Sequence, residues 1–252
     1  MDRFDRPPRL AAIDVGTNSM RMIIAEVESP ATYAILDDER AQTRLGEGLA
    51  ASGALSRDAM DRTIEALSRM LRIAADHEAD RMRAVATAAV RRASNGEEFV
   101  ERVRTELGLD VEVLSAREEG RLVFLGVADN FELDGRVAAL DIGGGSIELV
   151  RGANRQIESI ASLPEGVVTL KGRFTADPPS RKELKKLRKY VRGLLKDAVR
   201  DTSPVSALVG SGGTVTSLGA MSCAIRGIKY ESLQGLEVPL ADVIHFTSSL
   251  RD

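Results

Sequence analysis

Two short phrases carry residues suited to phosphate chemistry. "IDVGTNS" holds Asp14, Gly16, Thr17, Asn18 and Ser19, and "LDIGGGS" holds Asp141, Gly143, Gly144, Gly145 and Ser146. Asp14 matches Asp141, Gly16 matches Gly143, and Ser19 matches Ser146 at the same internal spacing. A bound phosphate needs several N–H donors at short range, and glycines let the backbone approach and turn where side chains would block it. Gly143, Gly144 and Gly145 can aim successive amides into one concavity, as Gly16 and Thr17 do in the first copy. The Ser19 and Ser146 hydroxyls and the Asn18 amide add donors. Carboxylates repel phosphate, so Asp14 and Asp141 call for another partner. Mg²⁺ (or Mn²⁺) supplies it, taking one or two carboxylates together with phosphate oxygens and water. A glycine turn between strands is also an ordinary hairpin device. Two copies in register, each between apolar strands, predict two lobes gripping one phosphate-rich ligand.

The flanking segments must position these turns. Residues 9–15 and 20–27 read as strands around the first, and "GRVAALDI" and "SIELVRG" as a hairpin around the second. "SRDAMDRTIEALSRMLRIAADH" has helical period, with Met60, Ile64, Leu67, Leu71 and Ala74 on one face and Ser56 as N-cap. "RAVATAAV" reads as a strand. "SNGEEFVERVRTELG" reads as a helix with a Ser94–Glu97 capping box, closed by Gly108. Alternating strands and helices, then the same program again, predict α/β architecture. The lobes are expected at 1–128 and 129–252, where "ADNFELDG" interrupts the pattern.

Two further segments bear on anions. "GSGGT" follows a strand and opens a helix, so Gly212 and Gly213 make either an anion site at a helix N-terminus or a plain tight turn. The helix from Arg181 to Arg200 is strongly basic over a stripe of Leu184, Leu187, Val191 and Leu194 or Leu195. It is either an electrostatic track for a polyanion or a solvated face.

Composition narrows the classes. With 252 residues and a net charge of −3, the chain is no generic nucleic-acid binder, and the absence of Trp argues against a base-stacking platform. No apolar run approaches a membrane span, and "MDRFDRPPRL" lacks a secretory h-region. One cysteine, unable to form an internal disulfide, fits a reducing compartment. The expected setting is the cytoplasm.

"AAIDVGTNSMRMIIAEV", "RLGEGL", "ATAAVRRASN", "VEVLSAREEGRLVFLGV", "LDIGGGSIELV" and "VGSGGT" occur in an order and spacing that resemble the exopolyphosphatase/guanosine pentaphosphate phosphatase (Ppx/GppA) family. The resemblance implies two ribonuclease H-like lobes of the actin-like ATPase, sugar kinase and Hsp70 superfamily. It implies release of terminal phosphate from inorganic polyphosphate or pppGpp by water and Mg²⁺. By this resemblance Glu119, the second of the acidic pair, is the general base. Glu118, three residues after Ser115, already has a capping role. The resemblance also places Arg91 at the terminal phosphate, with Arg92 the competitor one residue away. Asp141 becomes the first metal ligand, with Asp14 opposite, and Glu148 a further catalytic or metal-site carboxylate on the same side of its strand as Ser146. Members continue past the segment matching "IHFTSSLRD", many with an all-helical domain that supplies dimer contacts. The second lobe is therefore expected to be incomplete at its C-terminus, with a homodimer as a candidate assembly. Gly120, in the first turn of its helix, costs about 1 kcal/mol relative to Ala and is expected to loosen Glu119.

Overall fold

The structure, a computed structural model, describes residues 6–29, 32–132, 134–173, 179–201 and 203–249. It divides into two compact units, Met1–Glu119 and Gly120–Asp252. Among the described residues no helix is long and apolar enough to cross a membrane.

The first unit is built on β1 (Arg9–Val15), β2 (Met20–Ser29), β3 (Thr32–Ala41), β4 (Arg81–Ala86) and β5 (Val111–Val113), in the order β3-β2-β1-β4-β5. β1 alternates, with Ala11, Ile13 and Val15 buried and Leu10, Ala12 and Asp14 exposed. This is the period of a strand with one buried face. β2 pairs antiparallel with β1 and β4 pairs parallel to it. A one-turn helix α1 (Leu49–Ser52) precedes α2 (Arg57–Asp76), which starts where the Ala59 N–H donates to Ser56 Oγ at 3.2 Å. Met60, Ile64, Leu67 and Ala74 of α2 are buried and Leu71 partly so. They join Phe99 and Val103 of α4 (Gly96–Leu107) in one apolar cluster.

Two local expectations fail. "RAVATAAV" is not one strand: β4 stops at Ala86 and Ala88–Arg92 forms a short helix, α3. β1 ends at Val15, whose carbonyl accepts from Thr87 N–H, and Arg91 N–H then donates to Thr87 O at 3.0 Å. With the neighbouring strand gone, two alanines favour the helix. Nor does Ser94 form a capping box with Glu97. Asn95 is the N-cap, without a side-chain cap, because its amide is committed to Leu55: Oδ1 accepts from Leu55 N–H at 2.8 Å and Nδ2 donates to Leu55 O at 3.0 Å.

The second unit repeats the plan with β6 (Arg136–Ile142), β7 (Ile147–Ala153), β8 (Gln156–Leu163) and β9 (Ala207–Ser211), ordered β8-β7-β6-β9. β6 and β7 form the hairpin and β9 runs parallel to β6. Helix α5 (Ala116–Asn130) begins in the first unit and enters the second at Gly120. Its Phe124 and Val127 pack with Val137, Ala139 and Val150. Gly120 is buried, and a Cβ there would lie 2.7 Å from Ile160 Cγ2 and 3.3 Å from Val150 Cγ2. The glycine lets α5 lie close on the sheet, so packing offsets its propensity cost.

Helices α6 (Val167–Gly172), α7 (Arg181–Ala198), α8 (Gly212–Arg226) and α9 (Leu240–Ser249) complete the unit. On α7 the stripe of Leu184, Leu187, Val191, Leu194 and Leu195 is half-buried, not buried. Cys223 of α8 is fully buried.

Candidate active site

Both glycine turns close with the same backbone bond. Gly16 N–H donates to Ser19 O at 3.2 Å, and Gly143 N–H to Ser146 O at 3.0 Å. A Cβ on Gly16 would lie 2.6 Å from Ser19 O, and one on Gly143 3.2 Å from Ser146 O, so glycine is what permits the closure. Each turn is backed by another segment. Behind the first, Arg44 N–H donates to Asn18 O at 2.9 Å and Gly46 N–H to Thr17 O at 2.8 Å. Behind the second, Val167 N–H donates to Gly143 O at 3.0 Å and Val168 N–H to Gly144 O at 2.8 Å. The backing segments are themselves alike: "LGEG" at 45–48 and "LPEG" at 163–166.

The side chains differ more than the backbones. In the first turn Thr17 is buried and its hydroxyl has no hydrogen-bond partner among the described residues, Asn18 is half-buried and Ser19 is exposed. In the second, Gly145 and Ser146 are buried, and Ser146 Oγ donates to Glu148 Oε2 at 3.3 Å. The Ser146 hydroxyl is thus turned to a carboxylate.

The two aspartates sit in contrasting fields. Asp14 is exposed, and its cross-strand partner on β2 is Arg21. Asp141 is half-buried, and its cross-strand partner on β7 is Glu148, which is 0% exposed. Ser211 Oγ donates to Asp141 Oδ1 at 2.7 Å. Burial pushes the Asp141 carboxyl above the usual carboxylate range, and the Ser211 bond only partly offsets this. Gly212 stands at φ +84, and a Cβ there would lie 2.7 Å from Asp141 Oδ1. The start of α8, with Gly212 and Gly213, therefore closes on Asp141.

In the first unit the arginine at the end of α3 meets the acidic pair of α5. Arg91 Nη1 donates to Glu119 Oε2 at 2.8 Å and to Leu114 O at 2.7 Å. Both side chains are largely covered, 23% and 13% exposed for Arg91 and Glu119. Arg92 is exposed. Glu118 N–H donates to Ser115 Oγ at 3.1 Å, the backbone half of the expected cap. The guanidinium holds the covered carboxylate in one orientation.

Several supporting residues were missed from the sequence. Ser162 Oγ donates to Glu148 Oε1 at 3.0 Å; the two are register partners on β7 and β8. Ser211 stands directly before the Gly212–Gly213 pair. Glu165, 3% exposed, pairs with Arg173 and accepts from Tyr190 OH at 2.6 Å. Burial pushes its carboxyl up, but bonds from Arg173, Tyr190 and Thr169 outweigh this and hold it below the usual range. Glu165 precedes Gly166, where a Cβ would lie 2.5 Å from Gly143 O. It thus anchors the backing of the second turn. The repeat of "LGEG" as "LPEG" was the signal for it.

The donor set limits the cation. Among the described residues no group of three or more His, Cys, Asp or Glu side chains could hold a metal. One or two carboxylates fit a divalent cation that draws its remaining ligands from substrate and water. The desolvated Asp141 carboxyl fits that role, because a cation beside it would restore its charge.

Comparison with known proteins gives one answer. A sequence model of the Ppx/GppA phosphatase family matches residues 23–237. Exopolyphosphatase 2 of Mycobacterium tuberculosis is 34% identical, over 96% of this chain and 79% of its own length. An exopolyphosphatase structure from Cytophaga hutchinsonii matches 96% of this chain and 79% of that one at TM-score 0.88 and 28% identity. The Aquifex aeolicus Ppx/GppA family member matches 96% and 78% at TM-score 0.78 and 34% identity.

Proposed function

Since the chain belongs to the Ppx/GppA phosphatase family, a family of phosphoanhydride hydrolases, we propose that it releases terminal phosphate from inorganic polyphosphate with Glu119 directing the attacking water. The observation that carries this assignment is the Arg91–Glu119 pair at 2.8 Å. Glu119 accepts the water proton as the oxygen attacks the terminal phosphorus. The terminal P–O–P bond breaks, giving orthophosphate and a chain one phosphate shorter. Arg91 orients Glu119 and offers its remaining N–H groups to the terminal phosphate oxygens, whose charge spreads in the transition state. The Gly16 and Gly143 N–H groups close their own turns, so the amide donors for phosphate come from Thr17, Asn18 and Ser19 and from Gly144, Gly145 and Ser146, with Gly212 and Gly213 beside the second turn.

Asp141 is the preferred ligand for Mg²⁺ or Mn²⁺, with Glu148 and Asp14 as further carboxylates. The bound ion would neutralise phosphate oxygens. The Mycobacterium tuberculosis and Cytophaga hutchinsonii relatives are exopolyphosphatases, which favours polyphosphate over pppGpp as substrate. A cytoplasmic setting agrees with the single cysteine.

Glu119→Gln tests the reading. Phosphate release from polyphosphate should fall about 10²–10⁴-fold while binding of uncut polyphosphate is retained. Equal release by the two proteins removes Glu119 from the mechanism. Rates on polyphosphate and pppGpp, measured side by side, decide the substrate.

A further inference from the structure

One row of residues crosses the whole second sheet. In the order β8-β7-β6-β9 it reads Ser162, Glu148, Asp141 and Ser211, each the register partner of the next. Directly opposed residues project from the same face of a sheet, so these side chains stand side by side. The hydrogen bonds follow the row. Ser162 Oγ donates to Glu148 Oε1 at 3.0 Å, and Ser211 Oγ donates to Asp141 Oδ1 at 2.7 Å. The two acids are its inner members and the two hydroxyls its ends. The first sheet shows that the shared plan does not require this. At its matching aspartate the order β3-β2-β1-β4 reads Arg40, Arg21, Asp14 and Val85. That row sets a cation beside its aspartate. The second row sets another acid there and closes each end with a neutral donor.

Packing holds the row in place. Glu148 is fully buried, and Ser146 Oγ donates to its second oxygen at 3.3 Å. Gly120 of α5 lies over it, where a Cβ would stand 3.9 Å from Glu148 Cγ. With a serine on each oxygen, the plane of the Glu148 carboxylate is set. Ser211 does the same for Asp141 from one oxygen, and Gly212 keeps the start of α8 against that same atom. A carboxylate offers about four lone-pair sites, so a single hydroxyl bond orients Asp141 and leaves acceptor capacity for a cation. The choice of donor matters here. A lysine or arginine in the place of either serine would orient its carboxylate and also neutralise it. A hydroxyl orients it and leaves the negative charge for an outside ion.

We propose that Ser162 and Ser211 are positioning residues for a divalent cation, holding the Glu148 and Asp141 carboxylates ready to receive it. This rests on the reading above, in which Asp141 is the preferred ligand for the ion. Neither serine touches substrate in this account. Each acts through the carboxylate it bonds, as the hydrogen-bond partners of metal ligands do elsewhere.

The test is Mn²⁺ binding to the full chain without substrate, read by electron paramagnetic resonance of the free ion, beside urea unfolding of the metal-free protein. Ser162→Ala and Ser211→Ala should each raise the Mn²⁺ Kd about tenfold. The Mn²⁺ concentration that gives half-maximal phosphate release should rise in step. Ser162→Thr and Ser211→Thr keep the hydroxyl and should restore the parent Kd. Ser159→Ala, at an exposed serine of β8 opposite Arg151, should leave it unchanged. A lowered urea midpoint with the parent's Kd is the signature of packing alone and removes that serine from the proposal. A threonine variant as weak as its alanine counterpart does the same. The hydrolase reading fails separately. If the parent releases no phosphate, yet binds Mn²⁺ and holds it more weakly in the alanine variants, that reading falls and the two serines stand. If the parent releases phosphate but binds no Mn²⁺, or binds it equally well after Asp141→Asn, the serines fall and the hydrolase reading stands.

Discussion

The two glycine turns share a backbone and part company in what surrounds their aspartates. In the first unit Asp14 is exposed and faces Arg21 across the hairpin. In the second, Asp141 is half-buried and faces the fully buried Glu148. An arginine opposite a carboxylate compensates it within the protein. Two carboxylates opposite one another invite an external cation. The two units therefore share the turn and differ in the charge that surrounds its aspartate. The backing segments follow the same division: Glu47 of the first is exposed with Arg62 as partner, and Glu165 of the second is buried with Arg173 and Tyr190.

The largest expected effect tests the aspartates. Asp141→Asn should lower kcat/KM by about three orders of magnitude, the several kcal/mol that a Lewis acid supplies, and abolish the response to added Mg²⁺. Asp14→Asn should cost about tenfold, the scale of one hydrogen bond to a charged group. Equal losses would erase the distinction. Thermal melting sharpens it: with no metal added, Asp141→Asn should melt higher than the parent at neutral pH, because burial disfavours its charged form. Asp14→Asn should not.

The next effect is on stability. Glu165→Gln should cost about 1–3 kcal/mol, since it weakens bonds to a buried acceptor, whereas Glu47→Gln should stay within about 0.5 kcal/mol. Urea unfolding of both variants reads the difference. Similar values would show that burial of the second backing segment does not matter.

The smallest concerns Arg21. Its guanidinium donates to Asp38 through two bonds of 2.7 Å, and these hold the Asp38 carboxyl down to about 2. A depressed folded value stabilises the protein above the unfolded value near 3.8, and that contribution is lost as pH falls through about 2. Asp38→Asn should therefore melt slightly lower at neutral pH, by a few tenths of a kcal/mol after solvent screening, and match the parent at pH 2. It also releases Arg21 toward Asp14, so any drop in activity measures how far that arginine already compensates the first aspartate.

Much of this was legible because it is local. β1, β2, the β6–β7 hairpin and the Ser56 cap follow from alternation and capping chemistry, and the repeated turn needs only its own residues to close. What escaped depends on distant partners. Asn95 abandons the cap expected nearby for Leu55, forty positions earlier in the chain. Ala88–Arg92 becomes helix because β1 ends at Val15, which periodicity in "RAVATAAV" cannot reveal. Gly120 reads as a weak point in a helix until Ile160 and Val150 are placed against it. Ser162 gains its role from register across the second sheet, and Glu165 gains its own from Arg173 and Tyr190 further along the chain.

Cys223, fully buried on α8, is the chain's lone thiol, and there is no Trp. Intrinsic fluorescence is therefore a poor probe of unfolding, while a thiol-reactive dye sees only the half that holds Asp141. Its labelling rate across denaturant reports the opening of that half, and circular dichroism reports the chain as a whole. A mismatch between the two curves would time the loss of each cradle separately, without adding any foreign label site.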